Sequence, residues 1–370
     1  MKKICSFALA CSLLLKLTAI APAEAQAPAT NEGKTLADVA REARARQRSQ
    51  SSSLGISAVF QNGEREPEYR SKLQGLMSRS AFADLDAAAE SARSSKDRFA
   101  GGVWKLYVFY DTVATPLAGD RATSAQWTQH IAKLQDWIKA RPSSVAPRIA
   151  LAEAYRSVAW KARGGGFADT VSDANRMQFK KEDEIAHKTL IDAADLPVKC
   201  PHWYFVMLEI ARDQSWNKQQ TRELFEQAIG LEPAYYHYYR EYALNLLPKW
   251  HGSAQEAEAF ADESYLRIGG RQGAFVYFEI ATVLYCMCDD EPVKPTLSWP
   301  TIKEGFAEVQ ESYGTTMVKL NRFALLAYLY RDREVARTTL ARVGDQWEPA
   351  VWRKLDSLNS ARAWAGLPSL

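Results

Sequence analysis

From about residue 66 to the C-terminus, apolar residues recur at the three-to-four spacing of an α-helix, and the two-residue alternation of a half-buried strand is nearly absent. Leu73, Leu76, Met77, Phe82 and Leu85 form one such series. After a Gly101-Gly102 break, Trp104, Leu106, Val108, Phe109 and Tyr110 belong to the next. The spacing predicts further helices over 126–140, 145–162, 180–195, 201–213, 219–231, 235–247, 254–268, 273–287, 301–312, 316–330, 333–343 and 348–359, joined by short connections rich in Pro, Gly and Asn. Such a chain can bury its apolar stripes only helix against helix, so the expected fold class is all-α, a solenoid or a bundle. With 47% apolar residues and 11 Trp, 16 Tyr and 14 Phe, the core is large and disorder over most of the chain is excluded.

Internal spacing favours the solenoid. Pro142, Pro197 and Pro233 each end a predicted helix and are each followed within a few residues by a new amphipathic one. Residues 224–233 resemble the second helix of a tetratricopeptide repeat, with Phe225, Ala228, Leu231 and Pro233 at that family's spacing. Leu151, Ala152 and Tyr155 resemble its first-helix signature. Trp203 sits at the first-helix tryptophan position, Tyr242-Ala243 imitates the Leu-Gly pair, and Ala324, Ala327, Tyr328 and Ala336 suggest a further unit. The longer interval from Pro142 to Pro197 implies an insertion around Arg163-Gly164-Gly165-Gly166 and the polar 168–178 segment. The resemblance implies an irregular tetratricopeptide-like helical-repeat solenoid.

A narrower likeness rests on Leu247-Pro248-Lys249-Trp250-His251-Gly252-Ser253, with Ala159-Trp160-Lys161-Ala162-Arg163-Gly164 and Gly102-Val103-Trp104-Lys105-Leu106. Together these resemble an uncharacterised bacterial family of tetratricopeptide-like domains, over roughly residues 70–360. That family has no known function, so the resemblance implies a fold and no catalytic residues. Physically, Pro248 ends a helix, Trp250 covers its end, Gly252 permits the turn and Ser253 with Glu256 caps the next helix.

The N-terminus has the form of a signal peptide. Lys2 and Lys3 precede an apolar segment from Ile4 to Ile20, and Ala23-Glu24-Ala25 has the A-x-A form of a cleavage site. Residues 1–25 are therefore expected to be removed, 26–65 to be a flexible or partly helical segment with one helix near 35–48, and 66–370 to be the helical-repeat domain. The expected location is periplasmic or secreted. No later stretch is apolar enough to span a bilayer, so stable membrane insertion after cleavage is not expected. The net charge of +3 falls to +1 without the leader, which carries Lys2, Lys3, Lys16 and Glu24, and nucleic acid is not an expected partner.

Cys200, Cys286 and Cys288 remain after such cleavage. With His202 they supply zinc-ligand types, but the repeat register sets Cys200 apart from the other two, so free thiols and no metal are expected. There is no His-Glu-x-x-His, no Gly-x-Ser-x-Gly and no P-loop, and no cofactor or catalytic residue is predicted. The carboxylates, scattered among Lys and Arg, read as solvated helix faces. In the tyrosine-rich run 234–242, Tyr239, Tyr242, Ala243 and Leu246 share a core face, with Tyr235 and Tyr238 nearer the boundary. In the repeat register, Glu153 and Arg156, Tyr204 and Arg212, and His237 and Arg240 line the concave side of neighbouring first helices. That groove would be aromatic and mildly basic, suited to a carboxylate of a protein or peptide partner. The expected function is a non-catalytic interaction module; the alternatives are an envelope enzyme with a polar pocket in the helical stack, or a purely structural envelope component.

Overall fold

The computed structural model describes residues 64–166, 170–250, 252–285 and 295–370. The leader-like segment, the helix expected near 35–48, His251, Cys286 and Cys288 lie outside the described residues. The chain divides into two units, Met1–Gly55 and Ile56–Leu370, and every described residue belongs to the second.

Sixteen α-helices and no strands occur among the described residues. Four come first: α1 (Glu66–Ser78), α2 (Phe82–Ser95), α3 (Lys105–Val113) and α4 (Ser124–Ala140). Then helices follow in pairs. They are α5 (Ala146–Arg163) with α6 (Asp173–Ala194), α7 (Pro201–Asp213) with α8 (Lys218–Leu231), and α9 (His237–Asn245) with α10 (Ala254–Ile268). Next come α11 (Gly270–Leu284) with α12 (Trp299–Tyr313), α13 (Met317–Leu329) with α14 (Arg333–Val343), and the short α15 (Pro349–Trp352) with α16 (Leu355–Ala365). Within each pair the two helices pack on one another, and the leading helices α5, α7, α9, α11 and α13 also pack in succession. Proline sits in the first turn of α5, α7 and α12, where its missing N–H leaves no hydrogen bond unmade. Side-chain caps from Thr123, Ser172, Asn217, Ser253, Thr316 and Asp332 start other helices, and Ser298 also caps α12.

Three expectations need correction. The polar stretch 168–178 is helical from Asp173, because Ser172 Oγ accepts from the Asn175 N–H and starts α6 well before its apolar residues begin. The helix expected over 348–359 is broken at Arg353, whose φ of 60° ends α15 before α16 begins. Tyr235 and Tyr238 are fully buried. Their hydroxyls meet His202 Nδ1 at 2.7 Å and the Pro201 carbonyl at 2.9 Å, so burial leaves neither phenol unsatisfied.

The Pro248–Trp250 turn is 3-10 helical and Ser253 Oγ accepts from the Glu256 N–H at 3.1 Å, as the cap reading requires. Gly252 has a different reason from a turn dihedral. A Cβ there would overlap the Leu246 carbonyl group, so only glycine lets the chain pass so close. Trp250 reaches well beyond the end of α9: its ring meets Trp160 edge-to-face at 6.2 Å and lies 5.3 Å from the Arg212 guanidinium.

Candidate functional site

The leading helices carry charged residues within stripes that are otherwise apolar, and their packing brings these charges into one row. On α5, Arg156 donates from Nε to Asp213 Oδ2 at 2.7 Å and pairs through Nη1 with Glu209 Oε1 at 2.9 Å, both carboxylates being on α7. The Asp213 side chain is completely buried and also accepts from Trp160 Nε1 at 2.8 Å. Arg212 turns the other way, onto Glu241 of α9, and keeps a longer contact of 3.4 Å with Asp213. From α9, Arg240 donates to Glu279 Oε2 on α11 at 3.0 Å, and Lys319 of α13 pairs with the other oxygen of the same carboxylate. Each leading helix is thus tied to the next by at least one guanidinium or ammonium.

Beside this row lies an aromatic and imidazole layer. His202 is sealed, stacked on Tyr110 at 4.4 Å, with Nε2 3.3 Å from Glu153 Oε2. His237 is 6% exposed and sandwiched between Tyr107 at 4.0 Å and Tyr236 at 4.2 Å, and its Nε2 has no hydrogen-bond partner. Burial, reinforced by Arg240, His202, Lys319 and Arg98, holds its pKa well below the usual imidazole range, so it is neutral.

Charges so enclosed shift one another. Burial raises Glu209 to about 8, with Glu241 and Glu153 adding repulsion against the pull of Arg156. Burial and Asp213 raise Asp183 of α6 to about 6, although Gln214 donates to it at 2.9 Å. Around Glu279 the balance runs the other way. Burial pushes its carboxyl up, but Lys319 and Arg240 outweigh that and hold it below the ordinary value. Lys319 falls to about 8 through burial, and Arg240 and Arg322 repel it against the attraction of Glu279. Arg322 falls to about 10, from burial first and then Arg240.

Comparison with known proteins covers part of this region. Residues 69–211 match a family described as a domain of unknown function (DUF4034). No curated protein and no solved structure matches the chain. The matched stretch runs from within α1 to two residues short of the end of α7, so it contains Glu153, Arg156, Tyr204 and Glu209. Arg212, Asp213, His237 and Arg240 lie beyond it.

Of the six residues expected to line a groove, five fall on or beside the row: Glu153, Arg156, Arg212, His237 and Arg240. Tyr204 does not; it packs against the core next to Trp203 at 4.9 Å, on the side of α7 away from Glu209 and Asp213. The arginines are already held by carboxylates of the chain itself, so the row is not a basic surface awaiting a ligand acid. Sequence reasoning missed Glu209, Asp213, Glu241, Glu279 and Lys319. A signal was present: Glu209 and Asp213, four apart, continue the buried face of Phe205, Val206 and Ile210, and Glu279 stands inside an unbroken apolar run. A charge in that setting is paired rather than solvated. Cys200 is a buried free thiol 3.4 Å from the Tyr110 hydroxyl. Among the described residues no group of three or more His, Cys, Asp or Glu is placed to hold a metal ion, and no helix is long and apolar enough to cross a membrane.

Proposed function

We propose that this chain is an exported, tetratricopeptide-like helical-repeat protein that binds a polypeptide partner along its leading helices and has no catalysis of its own. The observation that carries the reading is the row itself. Successive leading helices are locked to one another by Arg156, Arg212, Arg240 and Lys319, which gives a rigid, regularly spaced line of part-exposed polar groups, with Arg240 at 20% and Glu209 at 13% exposure. Rigid presentation lowers the ordering cost of binding an extended segment. The paired order of helices, the prolines between pairs and the leader-like residues 1–25 support the repeat and export parts of the reading.

The test is site-specific photocrosslinking. A photoreactive phenylalanine replaces Tyr107 or Glu153 beside the row, and Met177 on the exposed part of α6 serves as control. In the producing cells the row positions are expected to give one discrete protein adduct, on a chain whose N-terminus is Gln26, and Met177 none. Adducts of equal pattern from all three positions, or none from the row, would remove the proposal.

A second reading, an enzyme with a polar pocket in the stack, draws on the enclosure of Glu209 beside Arg156, where burial pushes its carboxyl up toward neutral pH. The crosslinking experiment separates the two, because an enzyme acting on a small molecule gives no discrete protein adduct from the row positions.

A further inference from the structure

The charges around Glu279 do not balance. One carboxylate faces three cations, Arg240, Lys319 and Arg322, and only the first two reach it within ion-pair distance. Among the described residues Arg322 has no carboxylate of its own. Among the described residues its one hydrogen bond runs from Nη1 to Thr282 Oγ1 at 3.3 Å, which leaves most of its five N–H donors unused. Arg322 is half-buried, and its remaining donors are not enclosed, so they stand open to an acceptor from outside the chain.

Arg322 opens onto a cavity of about 190 Å³ between the ends of α9 and α11, the middle of α13 and the short α15. Lys249, from the turn after α9, stands on the same cavity with no ion-pair partner among the described residues, and Thr282 adds a hydroxyl. The rest of the wall is apolar, including Val283, Leu325 and Val351. That wall is not a loose flap. Asn321 accepts from Trp352 Nε1 at 2.9 Å and from the Glu348 N–H at 3.3 Å, and donates to the Gln346 carbonyl at 3.0 Å, which fixes α15 against α13.

We infer that this cavity is a binding site for a small organic acid, whose carboxylate pairs with Arg322 and Lys249 while a short aliphatic tail lies on Val283, Leu325 and Val351. The volume is below the roughly 300–1,000 Å³ of drug-sized ligand sites, so the tail is a few carbons long. The planar guanidinium fork suits a carboxylate in particular, through two parallel hydrogen bonds. Binding would offset the local surplus of positive charge, a need the ion pairs of the row do not meet. This site stands independently of the partner surface proposed above, since neither Tyr107 nor Glu153 lines it.

The experiment is calorimetric titration of the full-length protein with 3-methylbutanoate, its uncharged amide, and a tetrapeptide ending in leucine. The acid is expected to bind saturably at one site and the amide at least tenfold more weakly. Arg322→Gln should lose at least tenfold in affinity with unchanged helical circular dichroism. Ala350→Trp fills the mouth from an exposed position and should abolish binding, so the comparison stands even if the Arg322 variant does not fold. Equal binding of acid and amide, unaltered binding by Ala350→Trp, absence of saturable binding for straight or branched acids of three to six carbons, or binding of the peptide alone would each overturn the site.

Discussion

His237 shows how much a single residue in this interior reports. Its ring contributes stacking on two tyrosines, but its Nε2 lacks a partner, and an unsatisfied buried polar atom costs about 1–3 kcal/mol. His237→Phe keeps the stack and removes the orphan, so the variant is expected to be more stable than the parent by about 1 kcal/mol at pH 7.5 in urea denaturation. The same residue sets a pH dependence of known sign. Its pKa is depressed in the fold, so below about 6.5 the unfolded chain binds a proton that the native protein does not, and stability falls as pH is lowered. The loss attributable to this residue approaches ~1.4 kcal/mol per pH unit. His130 and His187, both also depressed, contribute to parent and variant alike. Urea midpoints from pH 7.5 to 5 should therefore drop less steeply in His237→Phe; parallel curves would show that His237 is not held neutral. At this scale the sequence was half legible. Arg156, Arg212 and Arg240 stood out because long cations on first-helix positions are conspicuous. Their acceptors did not, because a carboxylate on a helix is ordinarily solvated, and only the partner helix, distant in sequence, shows that Asp213 and Glu279 are not.

Helices were more legible than their contacts. Proline-ended, three-to-four-spaced runs located most of them to within a few residues, since burial of one stripe suffices to define a helix whatever it packs on. Errors fell where local chemistry overrode the stripe: a serine cap extending α6, a left-handed Arg353 dividing α15 from α16. How closely helices approach was not legible, because glycine in a helix reads only as a weak former. In α12, Gly305 presses on α11 so tightly that a Cβ would overlap the Ala274 carbonyl and crowd Phe278. On α11 itself, a Cβ at Gly273 would stand 2.6 Å from the Tyr265 carbonyl of α10. Backbone on backbone cannot yield as a side chain can. Gly305→Ala is accordingly expected to destabilise the protein by about 3 kcal/mol, against the gain of up to ~1 kcal/mol that alanine brings to an unconstrained helix interior. Gly230, on α8 with nothing near its Cβ position, is the control, and Gly230→Ala should be neutral or stabilising. A Gly305→Ala melting temperature at or above that of Gly230→Ala would mean that α11 and α12 are not in such close contact.

Across the described helices of the unit Ile56–Leu370, the question is what makes successive helix pairs behave as one body. Between helix pairs cooperativity comes from the interfaces, and a weakened interface can divide the unfolding transition, although residues 98–104 also reach α12 directly, Gly101 N–H donating to the Gly314 carbonyl at 3.1 Å and Arg98 to the Tyr313 hydroxyl at 2.9 Å. Here the interfaces carry buried ion pairs in series, and Asp213 is where α5 and α7 depend most on one atom group, with Arg156, Trp160 and Arg212 converging on it. Asp213→Asn preserves shape and one acceptor oxygen but leaves two enclosed guanidinium groups short of charge, a change in the class that costs about 3–5 kcal/mol when a buried pair loses one partner. Glu209 and Glu241 remain to hold those arginines, so the helices should still form. The expected result is a divided transition. Hydrogen exchange followed by mass spectrometry through a urea series should show α5 and α6 losing protection before α9–α16, where the parent loses both together. A uniform fall in protection over all the helices would instead place the cooperativity in the apolar core, where Trp104, Trp137 and Trp352 are buried, and reduce the row of charges to a means of holding spacing.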